Sequence, residues 1–196
     1  SAGLAYTKSK PAEGTVVWAD SQSAGRGQFG SRWESAAGKN LTFSVILYPD
    51  WLHIRSQFQL SMAVALALHD TVNSLQPDSV PVRIKWPNDL YIGDRKTAGI
   101  LIQNSISGTA IQSAIVGIGL NVNQLEFDAA LPNPTSLALA FGRDFNLEEL
   151  DGLLFERLEQ RYLQLKAGRY DAIQSAYEAL LYRRGVESIF RETATD

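Results

Sequence analysis

Residues 83–101 read Arg-Ile-Lys-Trp-Pro-Asn-Asp-Leu-Tyr-Ile-Gly-Asp-Arg-Lys-Thr-Ala-Gly-Ile-Leu. Val82 to Trp86 and Leu90 to Ile92 are short apolar runs of strand type, and Gly93-Asp94 supplies turn chemistry before a return strand at Ala98 to Gln103. Pro87 has no N–H to give a ladder, so the first strand stops there and Asn88 and Asp89 follow at a kink. Two lysines, an Asn-Asp pair and a tight turn on adjacent strands can present cations and carboxylates to one cleft. That arrangement suits an anionic, phosphate-bearing substrate. The residues alone also permit an Asn-Asp turn with Lys85 and Lys96 simply solvated.

Working outward, the chain alternates strands with turns through its first two thirds. Thr15 to Ala19 and Asn40 to Tyr48 read as strands, and Ala110 to Leu120 as a strand carrying Gly117 and Gly119. Glycine weakens a strand and often marks close approach of a ligand to the backbone. Residues 20–39 show neither helical nor strand periodicity and are predicted to be a long loop, a length that usually serves a function or is disordered. Ile54 to Leu75 has a helical stripe of Leu60, Val64, Leu68, Val72 and Leu75, with further apolar residues around the circumference, so this helix is expected to be buried. A short helix is expected near 136–141, and Asn146 is predicted to cap a longer one with its stripe on Leu147, Leu150, Leu154, Leu158, Tyr162 and Leu165. Gly168 ends it, a further helix spans Tyr170 to Tyr182, and Gly185 to Phe190 reads as a last strand. Hairpin-linked strands with later helices predict an α+β fold, a mixed and largely antiparallel sheet with helices on one face.

The bulk numbers restrict the function classes. A chain of 196 residues is long enough for one domain with a substantial core. Net charge is −3 with no block of like charge, which argues against a dedicated nucleic-acid binder. With no cysteine, disulfides and thiolate metal sites are impossible, which fits a cytoplasmic setting. The longest apolar run, Leu60 to Leu68, is too short to cross a bilayer, so no membrane partner is expected. Both ends read as cut edges of a longer protein.

Gly25-Arg26-Gly27-Gln28-Phe29-Gly30 matches G-x-G-x-x-G, but no helix comes after it, which removes the dinucleotide-binding reading. Its backbone N–H groups could still close on an anion, with Arg26 and Arg32 supplying charge. A flexible surface loop is the bland alternative, and Trp33 weighs against it. His53 and His69 are isolated, and no hydrolase, zinc-protease, kinase or phosphate-loop signature is present.

In order and spacing, Gln22-Ser23-Ala24-Gly25-Arg26-Gly27-Gln28, Trp33, Gly38-Lys39-Asn40-Leu41, Lys85-Trp86-Pro87-Asn88-Asp89, Lys96-x-x-Gly99-Ile100-Leu101 and Gly117-Ile118-Gly119-Leu120-Asn121 closely resemble the catalytic domain of biotin–protein ligases. The resemblance covers nearly the whole chain and is densest from 15 to 123. It implies a fold related to class II aminoacyl-tRNA synthetase domains. It also implies activation of biotin with MgATP to biotinyl-5′-AMP and pyrophosphate, then transfer to one lysine of a biotin carboxyl carrier protein domain, as in acetyl-CoA carboxylase or another biotin-dependent carboxylase. A homodimer is an allowed assembly.

The same resemblance assigns roles. Lys96, Arg26 and Asp89 are the expected catalytic residues, with Lys96 at the carboxylate and nascent anhydride and Asp89 assisting the acceptor lysine. Gln22, Gly25, Arg26, Gly27, Lys96, Gly99 and Gly117 are expected around biotin, and Arg26, Gln28, Trp33, Lys85, Asn88 and Asn121 around ATP and its Mg2+, with no dedicated metal ligand. The family's Ser-Thr-Asn signature has no counterpart, and Gln28 stands where some members carry arginine. The resemblance places the catalytic domain at 1–183, its N-terminal edge missing, and the start of a truncated SH3-like domain at 184–196. The expectation is a monofunctional ligase rather than a DNA-binding repressor. The rivals are a lipoate or octanoate ligase or transferase, whose Arg-Arg-x-Ser-Gly-Gly-Gly-type loop is absent here, and a non-catalytic biotin-binding regulator.

Overall fold

The computed structural model describes residues 10–27, 32–76 and 80–187. Strand β1 (Val16–Trp18) precedes a small hairpin of β2 (Gln22–Arg26) and β3 (Arg32–Ser35). Then come β4 (Leu41–Leu47), helix α1 (Gln57–Leu75) and strands β5 (Val82–Lys85), β6 (Asp89–Ile92), β7 (Arg95–Ser107) and β8 (Ala110–Leu120). Helices α2 (Leu137–Phe141), α3 (Leu147–Lys166) and α4 (Tyr170–Ala179) complete the order.

Six strands form one sheet in the order β1-β4-β8-β7-β6-β5, and each neighbouring pair is antiparallel. Among the described residues, parallel pairing occurs as two isolated bridges, Ile84 with Leu181 and Lys96 with Pro134. In this register, Leu41, Leu120 and Ala98 lie abreast, as do Phe43, Ile118 and Ile100. These residues join the hydrophobic core with α1 residues such as Leu60, Val64 and Leu68. Successive side chains of a strand point to opposite faces. The intervening positions, Thr42, Ser44, Gly99, Gly117 and Gly119, therefore lie on the face away from the helices. One face is built for packing and the other for approach.

The helix layer fits the sequence reading. α1 packs on β5, β6 and β7 and against α3 and α4, and its residues from Met62 to His69 are buried almost without interruption. Arg161 of α3 grips Asp70 of α1 through Nε at 2.9 Å and Nη2 at 2.6 Å. Asn146 caps α3 by accepting from the backbone N–H of Glu148 at 2.9 Å, which satisfies a donor that the first helical turn leaves open. Phe155 of α3 meets Trp18 and Phe43 edge-on, tying the helix to the β1 margin of the sheet. A cavity of about 490 Å³ lies under α3, lined by residues such as Val45, Val64 and Phe155. It holds none of the predicted site residues. Among the described residues no helix is long and apolar enough to cross a membrane.

Several sequence expectations change. Residues 20–39 contain the β2–β3 hairpin, registered at Gln22 with Ser35, Gly25 with Trp33 and Arg26 with Arg32. Its glycine-rich, polar strands offer no apolar alternation, the signal that announces a half-buried strand. β7 runs well beyond Ala98 to Gln103 in both directions, carrying polar residues at its ends. The last helix stops at Ala179, and the chain then runs along β5, with Ile84 N–H donating to Leu180 and Tyr182 N–H to Ile84. The final strand is not seen at Gly185 to Glu187, and the rest of that expectation lies outside the described residues.

Candidate active site

Three adjacent strands assemble the charged rim. The β5–β6 turn is tight because Lys85 pairs with Asp89 across it, leaving Trp86, Pro87 and Asn88 at the tip, with a cis bond before Pro87. Asn88 fastens this turn to β7: its Nδ2 donates to the Ile100 carbonyl at 2.9 Å, and its own carbonyl accepts from Ile100 N–H at 2.8 Å. Asp89 then faces Gly99, and a register shift after Leu90 places Tyr91 opposite Lys96. Lys96 Nζ reaches Asp89 Oδ1 at 2.7 Å, the carboxylate side chain being only 15% exposed. It is a close, partly shielded ion pair whose angles do not make it a hydrogen bond to Oδ1.

The backbone of Lys96 is held as firmly as its head group. Its N–H donates to the Asn133 carbonyl and its carbonyl accepts from Thr135 N–H, both at 2.8 Å. The Asn133–Thr135 strap thus takes the place beside β7 that β8 leaves after Leu120. Asn121, at that exit, is 5% exposed. Its Nδ2 donates to the Thr135 carbonyl at 2.9 Å, and its Oδ1 is buried without a hydrogen-bond partner.

Glycines make the floor. A Cβ on Gly119 would collide with the Trp33 indole, 2.5 Å from Cζ2, and one on Gly99 would lie 3.4 Å from the same ring and 3.6 Å from Lys96 Cε. Trp33 therefore lies flat to the helix-free face, and the indole and Lys96 flank Gly99. Its Nε1 is buried with no hydrogen-bond partner. A Cβ on Gly117 would come 3.2 Å from the Leu101 carbonyl and 3.8 Å from Ser44 Oγ. Gly25 is crowded within the hairpin, since a Cβ would come 2.5 Å from the Trp33 carbonyl and would also strike Gln22 Oε1. The hairpin can lie close on itself only because this residue has no side chain.

Lys85 stands on the other flank of Asp89. Its Nζ donates to Tyr91 Oη at 3.1 Å and sits 5.1 Å from that ring's centroid. Tyr91 is itself buried, 4% exposed, and its oxygen lies 3.4 Å from Asn133 Nδ2. Tyr182 stacks against Tyr91 at 5.1 Å between centroids and donates to Asp94 Oδ1 at 2.6 Å. That hydrogen bond raises the Tyr182 phenol above its ordinary pKa.

Of the predicted residues, Lys96, Asp89, Gly99, Gly117 and Trp33 thus share one face, with Lys85 and Asn88 at its margin. Gln22 and Gly25 lie in the hairpin that carries Trp33. Arg26 and Gly27 come next on the same hairpin, the side-chain placement of Arg26 and all of Gln28 lying outside the described residues. Asn121 is set into the wall rather than the floor. Sequence reasoning flags Gly119 only as a strand glycine, with no role of its own, and misses Tyr91. Gly119 repeats Gly117 at the two-residue period of one strand face, a readable signal. Tyr91 owes its place to contacts with Asn133 and Tyr182 that no local pattern shows. No group of three or more His, Asp or Glu capable of holding a metal gathers among the described residues.

Comparison with known proteins identifies the family. Residues 5–121 match the model of the biotin/lipoate A/B protein ligase family. The chain is 34% identical over 183 residues to the biotin–[acetyl-CoA-carboxylase] ligase of Paracoccus denitrificans, covering 91% of this chain and 75% of that protein. It is 32% identical over 182 residues to the bifunctional ligase/repressor BirA of Bacillus spizizenii, covering 91% of this chain and 54% of that protein. The chain thus spans about half the length of some curated relatives that it matches. Among solved structures, the biotin protein ligase from Aquifex aeolicus in complex with biotin and ATP superposes with a TM-score of 0.77 at 28% identity, over 87% of this chain and 70% of that one. The chain belongs to the biotin/lipoate A/B protein ligase family.

Proposed function

We propose that this chain carries the catalytic unit of an ATP-dependent biotin–protein ligase. The observation that carries the reading is the Lys96–Asp89 pair at the edge of the glycine-bearing sheet face on which the Trp33 indole rests. A flat, apolar bicycle needs an aromatic wall, and the indole, seated on Gly99 and Gly119 and only partly buried, offers one. Its carboxylate needs a cation nearby, and Lys96 lies next to Gly99 beside the ring. The relatives named above act on biotin or bind biotin and ATP, which supports the same choice of substrates.

In the first step a biotin carboxylate oxygen forms a bond to the α-phosphorus of ATP, the bond to the bridging oxygen breaks, and pyrophosphate leaves. Two anions must meet, so an ammonium touching both lowers the barrier by charge stabilisation that is strongest in the transition state. In this reading Lys96 takes that role, with Arg26 as a second cation. Lys85 and Asn88 at the turn, with Asn121 behind, form the side on which the triphosphate would lie. Mg2+ would arrive on the phosphate oxygens, since it keeps waters and needs few protein ligands.

In the second step the ε-amine of a carrier-domain lysine attacks the acyl carbon, the acyl–phosphate bond breaks, and AMP leaves with the oxygen. Asp89 would take the amine's proton once Lys96 releases the carboxylate. Closing the β2–β3 hairpin would keep water off the mixed anhydride. The partner is accordingly a biotin carboxyl carrier domain. The chain's net charge of −3 favours a protein partner over nucleic acid for this unit.

The test is ATP–pyrophosphate exchange in the presence of biotin, lipoate or neither. Exchange that depends on biotin is expected. Exchange that depends on lipoate instead would transfer the site to the other branch of the family, and exchange with neither would sink the reading.

A further inference from the structure

The two lysines beside Asp89 are held differently. Lys96 is paired with a carboxylate, whereas Lys85 donates to a neutral phenol at 3.1 Å. A lysine on a strand end has a long, freely rotating stem, and ordering it on a ligand costs conformational entropy. Tyr91 removes part of that cost in advance. Its oxygen accepts one of the three ammonium protons, the ring face lies 5.1 Å from Nζ, and the other two protons remain free for a polyanion. Because the partner is neutral, the positive charge of Lys85 is oriented without being cancelled.

Tyr91 is in turn held on every side. It is 4% exposed, lies opposite Lys96 in the ladder and within 3.4 Å of Asn133 Nδ2. Its ring is backed by Tyr182, which is fixed by its hydrogen bond to Asp94 and by the backbone pairing of residues 180–182 with Ile84.

We propose that Tyr91 is a positioning residue that aims the Lys85 ammonium at the nucleotide's phosphates, buttressed by the segment leaving the last helix through Tyr182. This rests on the reading of the site as a biotin-adenylating one. It predicts that a contact more than 90 positions further along the chain, at Tyr182, reaches the nucleotide subsite without touching the nucleotide. Ligand binding and catalysis would then respond to any change in how residues 180–182 lie along β5.

The experiment compares the full-length protein with Tyr91→Phe, which keeps the ring and its stacking, with Lys85→Ala, and with the double variant. MgATP binding is measured by calorimetry, and the KM for MgATP, the KM for biotin and kcat by pyrophosphate exchange. Losing one hydrogen bond to a charged group should raise the Kd and KM for MgATP about 5- to 10-fold, with the biotin KM unmoved. On the Lys85→Ala background the phenol should add nothing, since its partner is gone. Unchanged MgATP affinity in Tyr91→Phe, equal rises in both KM values, or additive effects in the double variant would each overturn the proposal. If the wild-type chain binds MgATP and exchanges with biotin while Tyr91→Phe matches it, only this inference falls. If the wild-type chain does neither, the reading of the site falls and takes the inference with it.

Discussion

The two faces of the central sheet are made by alternate residues of the same strands, yet they obey opposite rules. On β8, Ile118 is 2% exposed and packs among Phe43, Ile100 and the helices, while its neighbour Gly119 must be bare for Trp33 to lie against it. The helix face fills its residues with volume, and the other face leaves volume out. Stability and ligand chemistry can therefore be read apart in this fold, one residue at a time, by parity along a strand. A substitution should strike one property or the other according to the face it sits on.

Ile118 gives that division its most severe trial. Ile118→Ala should cost about 2–5 kcal/mol of folding stability by leaving a cavity in a packed core. Denaturant unfolding reads this directly. A loss well under ~1 kcal/mol would mean that the face is not the close-packed layer its burial suggests.

Lys96→Ala attacks the other face. If the site works as proposed, adenylate formation should fall by about 100-fold or more, equivalent to about 2.7 kcal/mol of transition-state stabilisation. Its effect on the unfolding midpoint should be smaller than that of Ile118→Ala, although Asp89 loses its partner. Single-turnover formation of biotinyl-AMP is the measurement, and an unchanged rate would remove Lys96 from the chemistry.

The smallest effect belongs to the helix layer, where charge has a structural role. Burial pushes the Asp70 carboxyl up, but hydrogen bonds from His69 and Arg161 and the Arg161 charge outweigh it, so its pKa lies below the ordinary 3.8. A carboxylate depressed in the folded state contributes stability at pH values above its unfolded pKa and loses it as pH falls through the folded one. Asp70→Asn should cost about 1–3 kcal/mol near neutrality. It should also flatten the dependence of stability on pH in the acid window below about pH 4, where the pair is otherwise titrated. Thermal melts across that acid window and up to neutrality would show it, and parallel curves for the two proteins would contradict it.

How much of this is legible in the sequence depends on the same division. Periodicity of two and of 3.6 reports burial, so β4, β8, α1 and α3 can be placed from their apolar residues, and Asn146 announces its helix start. The β2–β3 hairpin cannot, because Gly25 and Arg26 on one strand and Arg32 and Trp33 on the other form no alternating apolar set. The charged rim is visible as a motif at Lys85, Asn88, Asp89 and Lys96, but not its internal wiring. Tyr91 looks like one more strand aromatic until Asn133 and Tyr182 arrive from distant parts of the chain. Residue identity shows what chemistry is available, and only the register shows which groups meet.

The strap at Asn133–Thr135 has a use beyond holding Lys96. Asn123, at the other end of the intervening segment, is bonded to the Lys39 carbonyl through its N–H and to both backbone groups of Phe145 through its side chain. Residues 125–132 therefore form a bracketed, largely exposed excursion whose two ends are anchored independently of its length. Insertions between such anchors are tolerated because the added chain closes its loop at little entropic cost. An affinity tag, a fluorescent reporter or a guest peptide grafted near Asp128 would ride beside the cleft while Lys96 stayed where the fold puts it.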